Sequence, residues 1–379
     1  MTPRPHNLLG LTLPELSDFA EKIGEKRYRG KQLFDWLYTK EAGSFLEMTS
    51  LAKPFREELD RTATLERVKI IKQQRSQLDG TTKFLIQLRD GVNVESVLIP
   101  PRRSFRDPEA EEEEEQRRLT LCISSQAGCA LDCKFCATAT MGFLRNLTAG
   151  EIIDQVLQVK QHAERPITNV VFMGMGEPML NYDNVMKAVD ILITGINIAA
   201  KRITISTAGW ADKIRRMADD ECKAKLAVSL HSAVDDTRTK LMPVNKKYNV
   251  AELMSAIKYY CTKTGKRVTY EYIFFEGVND SDYEVAQLIK LARCVPCKIN
   301  IIPFHSIAFT GIHGSGVALK PSPRMNEIAD RLREKNLSVF VRSNAGEDID
   351  AACGQLAVNT GKEHARQTRL ANRRVAAAM

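Results

Sequence analysis

Three cysteines fall within eight residues, in Gly128-Cys-Ala-Leu-Asp-Cys-Lys-Phe-Cys136. This C-x-x-x-C-x-x-C spacing offers three thiolates, Cys129, Cys133 and Cys136, to a four-iron cluster and leaves the fourth iron without a protein ligand. An electron-carrier cluster takes four cysteines. An iron held open is a place for reaction, because something other than protein must fill it. A three-cysteine zinc site is the competing reading. It wants a histidine or a fourth cysteine nearby, and the next histidine along the chain is His162.

Other residues with chemical potential sit at the ends of apolar runs. In Met173-Gly-Met-Gly-Glu-Pro178, Gly176 lets a ligand approach the backbone and Glu177 offers an acceptor for an ammonium group. Ser206, Ser229, Leu230, His231 and His305 end similar runs, where each is placed to hydrogen-bond a polar ligand. Any one of them alone reads as an ordinary turn residue. Cys122 alternates with Leu121 and Ile123, so it points to the face opposite the apolar set. Cys353 sits in Asp350-Ala-Ala-Cys-Gly-Gln-Leu356, with small neighbours that leave room around the sulfur. Alone, each of these cysteines reads as a buried core thiol. So do Cys222, Cys261, Cys294 and Cys297.

These groups must be positioned by a scaffold. From Leu119 the chain repeats strand, loop and helix about six times, with strands expected over 119–125, 169–174, 202–207, 225–230, 268–275 and 298–303. Thr148 and Glu151 form a capping box at the first helix. Buried apolar strands alternating with helices predict an α/β fold, an open (β/α)6 partial TIM-type barrel over 119–357. The cysteine run follows the first strand, where such barrels carry their chemistry. Residues 1–64 read as a small helical domain, with Leu33, Phe34 and Leu37 at helical spacing. Residues 65–100 read as a small antiparallel sheet with turns at Asp79-Gly80 and Asp90-Gly91. An acidic disordered insertion is expected over 101–118 and a basic flexible tail over 358–379.

The chain of 379 residues carries a net charge of +8, although Glu109 and Glu111 to Glu115 put six negative charges in one run. The basic remainder suits a polyanionic partner. Lys26-Arg27-Tyr28-Arg29-Gly30-Lys31 places cations around an aromatic ring, a composition suited to RNA contact and equally to a solvated helix end. No apolar run reaches membrane-spanning length and no signal-peptide pattern opens the chain, so a cytoplasmic protein is expected.

Taken together, these segments, with Gly142-Phe-Leu-Arg-Asn-Leu147 and Leu241-Met-Pro-Val-Asn245, resemble the dual-specificity RNA adenine-C2 methyltransferase family of the radical S-adenosylmethionine (SAM) superfamily. The resemblance runs from about Asn7 to Leu356. It implies methylation of C2 of an adenosine in 23S ribosomal RNA, in the peptidyl transferase centre, and in the anticodon loop of certain transfer RNAs. It implies one 4Fe-4S cluster on Cys129, Cys133 and Cys136, and two SAM molecules per turnover. SAM contacts fall to Gly176, Glu177, Ser206, Ser229, Leu230, His231 and His305. Adenine C2 is electron-poor and has no lone pair, whereas a thiolate is an excellent nucleophile. In the implied sequence Cys353 takes a methyl group from one SAM. The second SAM, on the cluster, yields a deoxyadenosyl radical that removes hydrogen from that S-methyl group, and the carbon radical adds to C2. Glu95 accepts the C2 proton. Cys122 attacks the Cys353 sulfur, releasing product and leaving a Cys122–Cys353 disulfide for cellular thiols to reduce. An electron donor such as flavodoxin and a monomeric state are also implied.

Two departures stand out. The insertion is longer and more acidic than the family pattern and is expected to loop away from RNA. His305 stands where many relatives have asparagine. The alternative is the antibiotic-resistance type that methylates adenine C8. Arg145-Asn-Leu147, Pro178-Met-Leu-Asn181 and the opening Asn7-Leu-Leu-Gly-Leu-Thr-Leu13 favour the C2 type. A more distant alternative, a non-catalytic iron–sulfur RNA-binding module, has no use for Cys122 and Cys353.

Overall fold

The computed structural model describes residues 6–101, 118–307, 319–342 and 345–357. The expected insertion (Pro101 and Arg118 apart) and the expected tail lie outside these residues.

The chain opens with β1 (His6–Asn7) and α1 (Leu13–Lys22), whose start is fixed by a capping box between Thr12 and Glu15. Helix α2 (Arg29–Phe34) runs into a π-helical turn, and α3 (Lys53–Thr62) leads to β2 (Ala63–Thr64). Pairing of β1 with β2 ties the two ends of this helical unit together. Leu33, Phe34 and Leu37 are buried at its centre. Tyr38 pins the loop between β1 and α1 to this centre: its hydroxyl accepts from Gly10 N–H (2.8 Å) and donates to the Leu11 carbonyl (2.9 Å). Gly10, at φ +94°, lies against Gly150, and a Cβ there would sit 2.2 Å from the Gly150 nitrogen. Only glycine permits that approach.

Strands β3 (Lys69–Arg75), β4 (Thr82–Gln87) and β5 (Asn93–Ile99) form an antiparallel meander. Strand β6 (Thr120–Cys122) follows, then β7 (Gln126–Gly128) and β8 (Phe143–Asn146), which pair as a separate hairpin. The rest alternates: α4 (Ala149–Lys160), β9 (Asn169–Phe172), α5 (Tyr182–Thr194), β10 (Ile203–Thr207), α6 (Ala211–Asp219) and β11 (Lys225–Ser229). After α7 (Asp235–Leu241) and α8 (Val250–Thr264) come β12 (Val268–Tyr272), α9 (Asp282–Ala292), β13 (Cys297–Ile301), α10 (Met325–Glu334) and β14 (Val339–Val341). The expected capping box opens α4, with Thr148 and Glu151 bonding each other's backbone N–H.

Ten strands make one sheet in the order β14-β13-β12-β11-β10-β9-β6-β5-β4-β3. It is parallel from β14 to β6 and antiparallel from β6 to β3. Its edges, β14 and β3, remain unpaired with each other, so the barrel is open. The α/β class and the six expected barrel strands are present, joined by β14, which is too short to stand out in the sequence. The strands also stop earlier than expected: 119–125 shrinks to Thr120–Cys122, and 169–174 ends at Phe172. Of the residues released from the ladder, Met173 and Gly174 line the cavity at the strand ends.

Helix α4 meets the segment between β2 and β3 through a buried acid. The fully buried Asp154 accepts from Val68 N–H (2.6 Å) and from Arg67 Nη1 (2.9 Å). Removing one partner of such a pair strands the other charge. Asp154→Ala is therefore expected to cost roughly 3 kcal/mol or more, measured by urea denaturation. A loss below about 1 kcal/mol would mean that the pair behaves like a solvated surface bridge.

Candidate active site

The cysteine loop is built by the β7–β8 hairpin. Gly128, at φ +73°, ends β7, and a Cβ there would fall 1.8 Å from the Gly142 carbonyl oxygen. Cys129 N–H donates to that same oxygen (2.9 Å), and Cys136 N–H to the Cys133 carbonyl (3.1 Å). From the other side Lys134 N–H donates to the Leu241 carbonyl at the end of α7 (3.0 Å). Arg238 supports this wall from beneath. It is fully buried and donates to the carbonyls of Leu230 (3.2 Å) and Ala208 (2.6 Å) and to Asn245 Oδ1 (2.9 Å). Burial lowers its pKa to about 10, so it stays charged at neutral pH, near Cys133.

Cys129, Cys133 and Cys136 line one cavity, together with Gly176, Glu177, Ser206, Ser229, His231 and Cys353. Among the described residues no three His, Cys, Asp or Glu side chains gather closely enough for a single metal ion. A polynuclear cluster takes each thiolate on a separate iron. Burial raises all three thiols, Cys129 to about 12. Each keeps its proton until a metal displaces it. The donor set and the cavity fit a cluster held at three corners.

Opposite the cysteines, Gly176 adopts φ +95°, and Gln126 fills the space where its Cβ would lie. The buried Glu177 is oriented through both oxygens: Oε1 accepts from Met179 N–H (3.0 Å) and Oε2 from Ala208 N–H (2.7 Å). Burial raises its pKa, and these bonds oppose the rise. Each oxygen keeps a lone pair for a ligand ammonium. His231 has φ +53°, and its Nδ1 accepts from Ile273 N–H (3.0 Å), which leaves the proton on Nε2. Its ring packs 4.4 Å from that of Phe135, and burial pushes its pKa down to about 3. It is a neutral donor.

Two of the expected residues are not among those that line the cavity. Leu230 is buried in the main core away from the cavity lining, because strand alternation turns it outward from Ser229. His305 does not line the cavity either; its Nδ1 lies 3.6 Å from Glu347.

Cys122 and Cys353 do converge, although far apart in the chain. Cys122 is buried on the inner face of β6, its thiol pushed up to about 12 by burial and by the nearby Cys353. Arg342 Nη1 lies 3.7 Å from Cys353 Sγ and 3.6 Å from Met173 Sδ. No disulfide joins the two cysteines; all nine in the chain are free. The implied Cys122–Cys353 bond is therefore absent from the resting fold, in which Cys353 is held by Arg342 and by its own loop. That loop is sewn to the cysteine run: Ala137 N–H donates to the Gly354 carbonyl (2.7 Å) and Thr138 Oγ1 to that of Leu356 (2.6 Å).

Glu95, on β5, is buried, and burial raises its pKa to about 7 despite Lys83, whose Nζ lies 3.6 Å away. Sequence reasoning missed Lys83, Arg238, Glu271 and Arg342. Glu271 lines the cavity from β12, with Oε1 accepting from Asn300 Nδ2 (3.0 Å) and Oε2 buried without a hydrogen-bond partner. A carboxylate between two tyrosines in an apolar strand was its visible signal.

An open parallel barrel with three thiols in the loop after its first strand, facing a glycine–glutamate turn after its second, defines a radical SAM enzyme. The family model described as "Radical SAM superfamily" matches residues 123–289, and the one described as "Ribosomal RNA large subunit methyltransferase N-terminal domain" matches residues 6–65. The chain belongs to the dual-specificity RNA methyltransferase RlmN family. It is 43% identical over 358 residues to the probable dual-specificity RNA methyltransferase RlmN of Flavobacterium psychrophilum, covering 93% of this chain and 97% of that one. It is 40% identical over 375 residues to the dual-specificity RNA methyltransferase RlmN of Rhodospirillum rubrum, covering 96% and 83%. The crystal structure of a radical SAM methyltransferase from Sphaerobacter thermophilus superposes with a TM-score of 0.80 at 39% identity, over 93% of this chain and 99% of that one. The family implies a 4Fe-4S cluster and SAM.

Replacing any one of Cys129, Cys133 and Cys136 by alanine should lower bound iron from about four per chain to near zero. Iron and sulfide analysis of anaerobically reconstituted protein checks this. Full iron retention in Cys133→Ala would place the cluster elsewhere.

Proposed function

We propose that this chain methylates C2 of adenosine in 23S ribosomal RNA and in transfer RNA, with Cys353 carrying the methyl group as S-methylcysteine and two SAM molecules consumed per turnover. The observation that supports this reading is the meeting, beside the cysteine loop, of two free thiols from opposite ends of the core, Cys122 buried and Cys353 half-buried. A scaffold or a simple electron carrier needs neither.

Adenine C2 lies between two ring nitrogens and offers no lone pair, so polar methyl transfer to it is closed. The cluster and SAM, when bound, supply the one-electron chemistry that opens a methyl C–H bond. The remaining tasks fall to this chain's own residues. Cys353 acts as a thiolate nucleophile, and the Arg342 guanidinium beside it favours that form against the opposing effect of burial. Met173, on the other side of Arg342, helps to hold the guanidinium in place. Glu177 binds the amino group of SAM through the lone pairs its backbone bonds leave unused, and the neutral His231 donates Nε2–H to the same ligand. Glu95, poised near neutrality, takes the C2 proton. Cys122, already close, attacks the Cys353 sulfur and releases the RNA as a transient disulfide forms, which a cellular thiol reduces. An external electron donor of flavodoxin type serves the cluster.

RNA contact is expected first at the helical unit. In the run Lys26 to Lys31, Arg27, Arg29 and Lys31 pair with Asp18, Glu25 and Asp35. Exposed pairs of this kind contribute little, so phosphates can compete for these cations. Tyr28 is more than half exposed and available for stacking. No helix among the described residues is long and apolar enough to cross a membrane.

Two variants test the reading with ribosomal RNA fragments and methyl-labelled SAM. Cys353→Ala should abolish methyl transfer while keeping its iron. Cys122→Ala should accumulate a covalent RNA–protein adduct, visible as a band of increased mass on a denaturing gel. Methylation at C8, or an active Cys122→Ala variant free of adduct, would sink it.

A further inference from the structure

We propose that Lys83 is a positioning residue, which holds the Glu95 carboxylate and the Cys353-bearing segment together for removal of the C2 proton. The proposal rests on the reading of Glu95 as the base.

Pairing of β4 with β5 sets Leu85 opposite Glu95 and Lys83 opposite Val97, so Lys83 and Glu95 share one face of the sheet. Both are buried, at 8% and 4% exposure. Lysine is rarely buried on a strand, because losing its hydration is costly. A packed apolar residue would serve stability as well or better. What this lysine does with its charge is therefore informative. Nζ lies 3.6 Å from Glu95 Oε1 and donates to the Asp350 carbonyl at 3.1 Å. The Ala357 backbone N–H faces the same carboxylate and favours its charged form. Cys353 lies between Asp350 and Ala357, so the Lys83–Glu95 pair is bonded to its segment at Asp350 and faces it at Ala357. The β3–β4 turn fastens the approach: Gly346 N–H donates to Asp79 Oδ2 (2.9 Å), and Gln77 N–H to Asp348 Oδ2 (3.1 Å).

The second carboxylate oxygen, Glu95 Oε2, is buried and has no hydrogen-bond partner in the structure. Lys83 engages one oxygen and leaves the other to receive a proton. The charged groups facing the carboxylate are Lys83 from β4 and Asp350 from the C-terminal segment; Ser124, after β6, donates its hydroxyl to the Glu95 backbone carbonyl (2.6 Å). Burial and Asp350 favour the protonated acid, and Lys83 favours the carboxylate. Without the lysine charge, fewer molecules hold the base form at a given pH.

The test compares Lys83→Met, Lys83→Gln, Lys83→Arg and Glu95→Gln in the reconstituted enzyme with a 23S ribosomal RNA fragment. Single-turnover methylation is followed across about pH 6 to 9, and amide exchange over residues 345–357 is measured without RNA. In Lys83→Met the acid limb should move up by about one pH unit, with about a fivefold loss near pH 7 that approaches about tenfold at lower pH, and exchange should quicken. Lys83→Gln, which keeps a donor but no charge, should show the same shift even if Lys83→Met folds poorly. Lys83→Arg should recover the limb. An unmoved limb in Lys83→Gln, or Lys83→Arg no better than Lys83→Met, overturns the proposal. A fully active Glu95→Gln would instead remove the base assignment itself, whatever Lys83 does.

Discussion

A backbone hydrogen bond of 2.7 Å, from Ala137 N–H to the Gly354 carbonyl, joins the two parts of the chain that carry sulfur chemistry. It fixes Cys353 one residue from the contact and Cys136 one residue from the other partner. Gly354 reaches this position only at φ +84°, where a Cβ would press 3.2 Å from the Phe135 carbonyl oxygen. A larger residue there would push the loops apart, and the separation between a cluster and a methyl-carrying sulfur would widen with it. Thr138, bonded to the Leu356 carbonyl, stops the joint from pivoting.

Around this joint the barrel interior holds buried charge, Glu95, Glu177 and Glu271 against Arg238 and Lys83, with the half-buried Arg342 beside them. None would be tolerated alone in such a core. Glu177 is balanced by two backbone N–H groups, Glu271 by Asn300 and the field of Arg342, and Arg238 by carbonyls and Asn245. The two oxygens without partners, on Glu95 and Glu271, are the places where the interior is built for something besides folding.

The sequence made the barrel and much of the site readable because both are local patterns. Apolar runs at regular spacing announce parallel strands, and the cysteine triplet, the glycine–glutamate turn and the Thr148 cap each lie within a few residues. Inner-face placement of Cys122 followed from alternation alone. What escaped was relational. Lys83 reads as one more lysine on a strand, and only the pairing of β4 with β5 turns it towards Glu95. Arg238 looks like a helix surface charge until α7 is seen lying under the cysteine loop. Leu230 and His305 fit the motif pattern, yet strand alternation and the partner Glu347 take their side chains off the cavity wall. Strand ends were overestimated because the apolar pattern runs on past Cys122 and Phe172, the last residues of their strands.

Among the described residues the two edges of the main sheet do not pair, and the segment 345–357 reaches the β3–β4 turn through Gly346 and Asp348. A seam closed by a handful of separate bonds yields one bond at a time, unlike a strand ladder, whose bonds are lost cooperatively. The wall nearest Cys353 is thus held less cooperatively than the strands beside it.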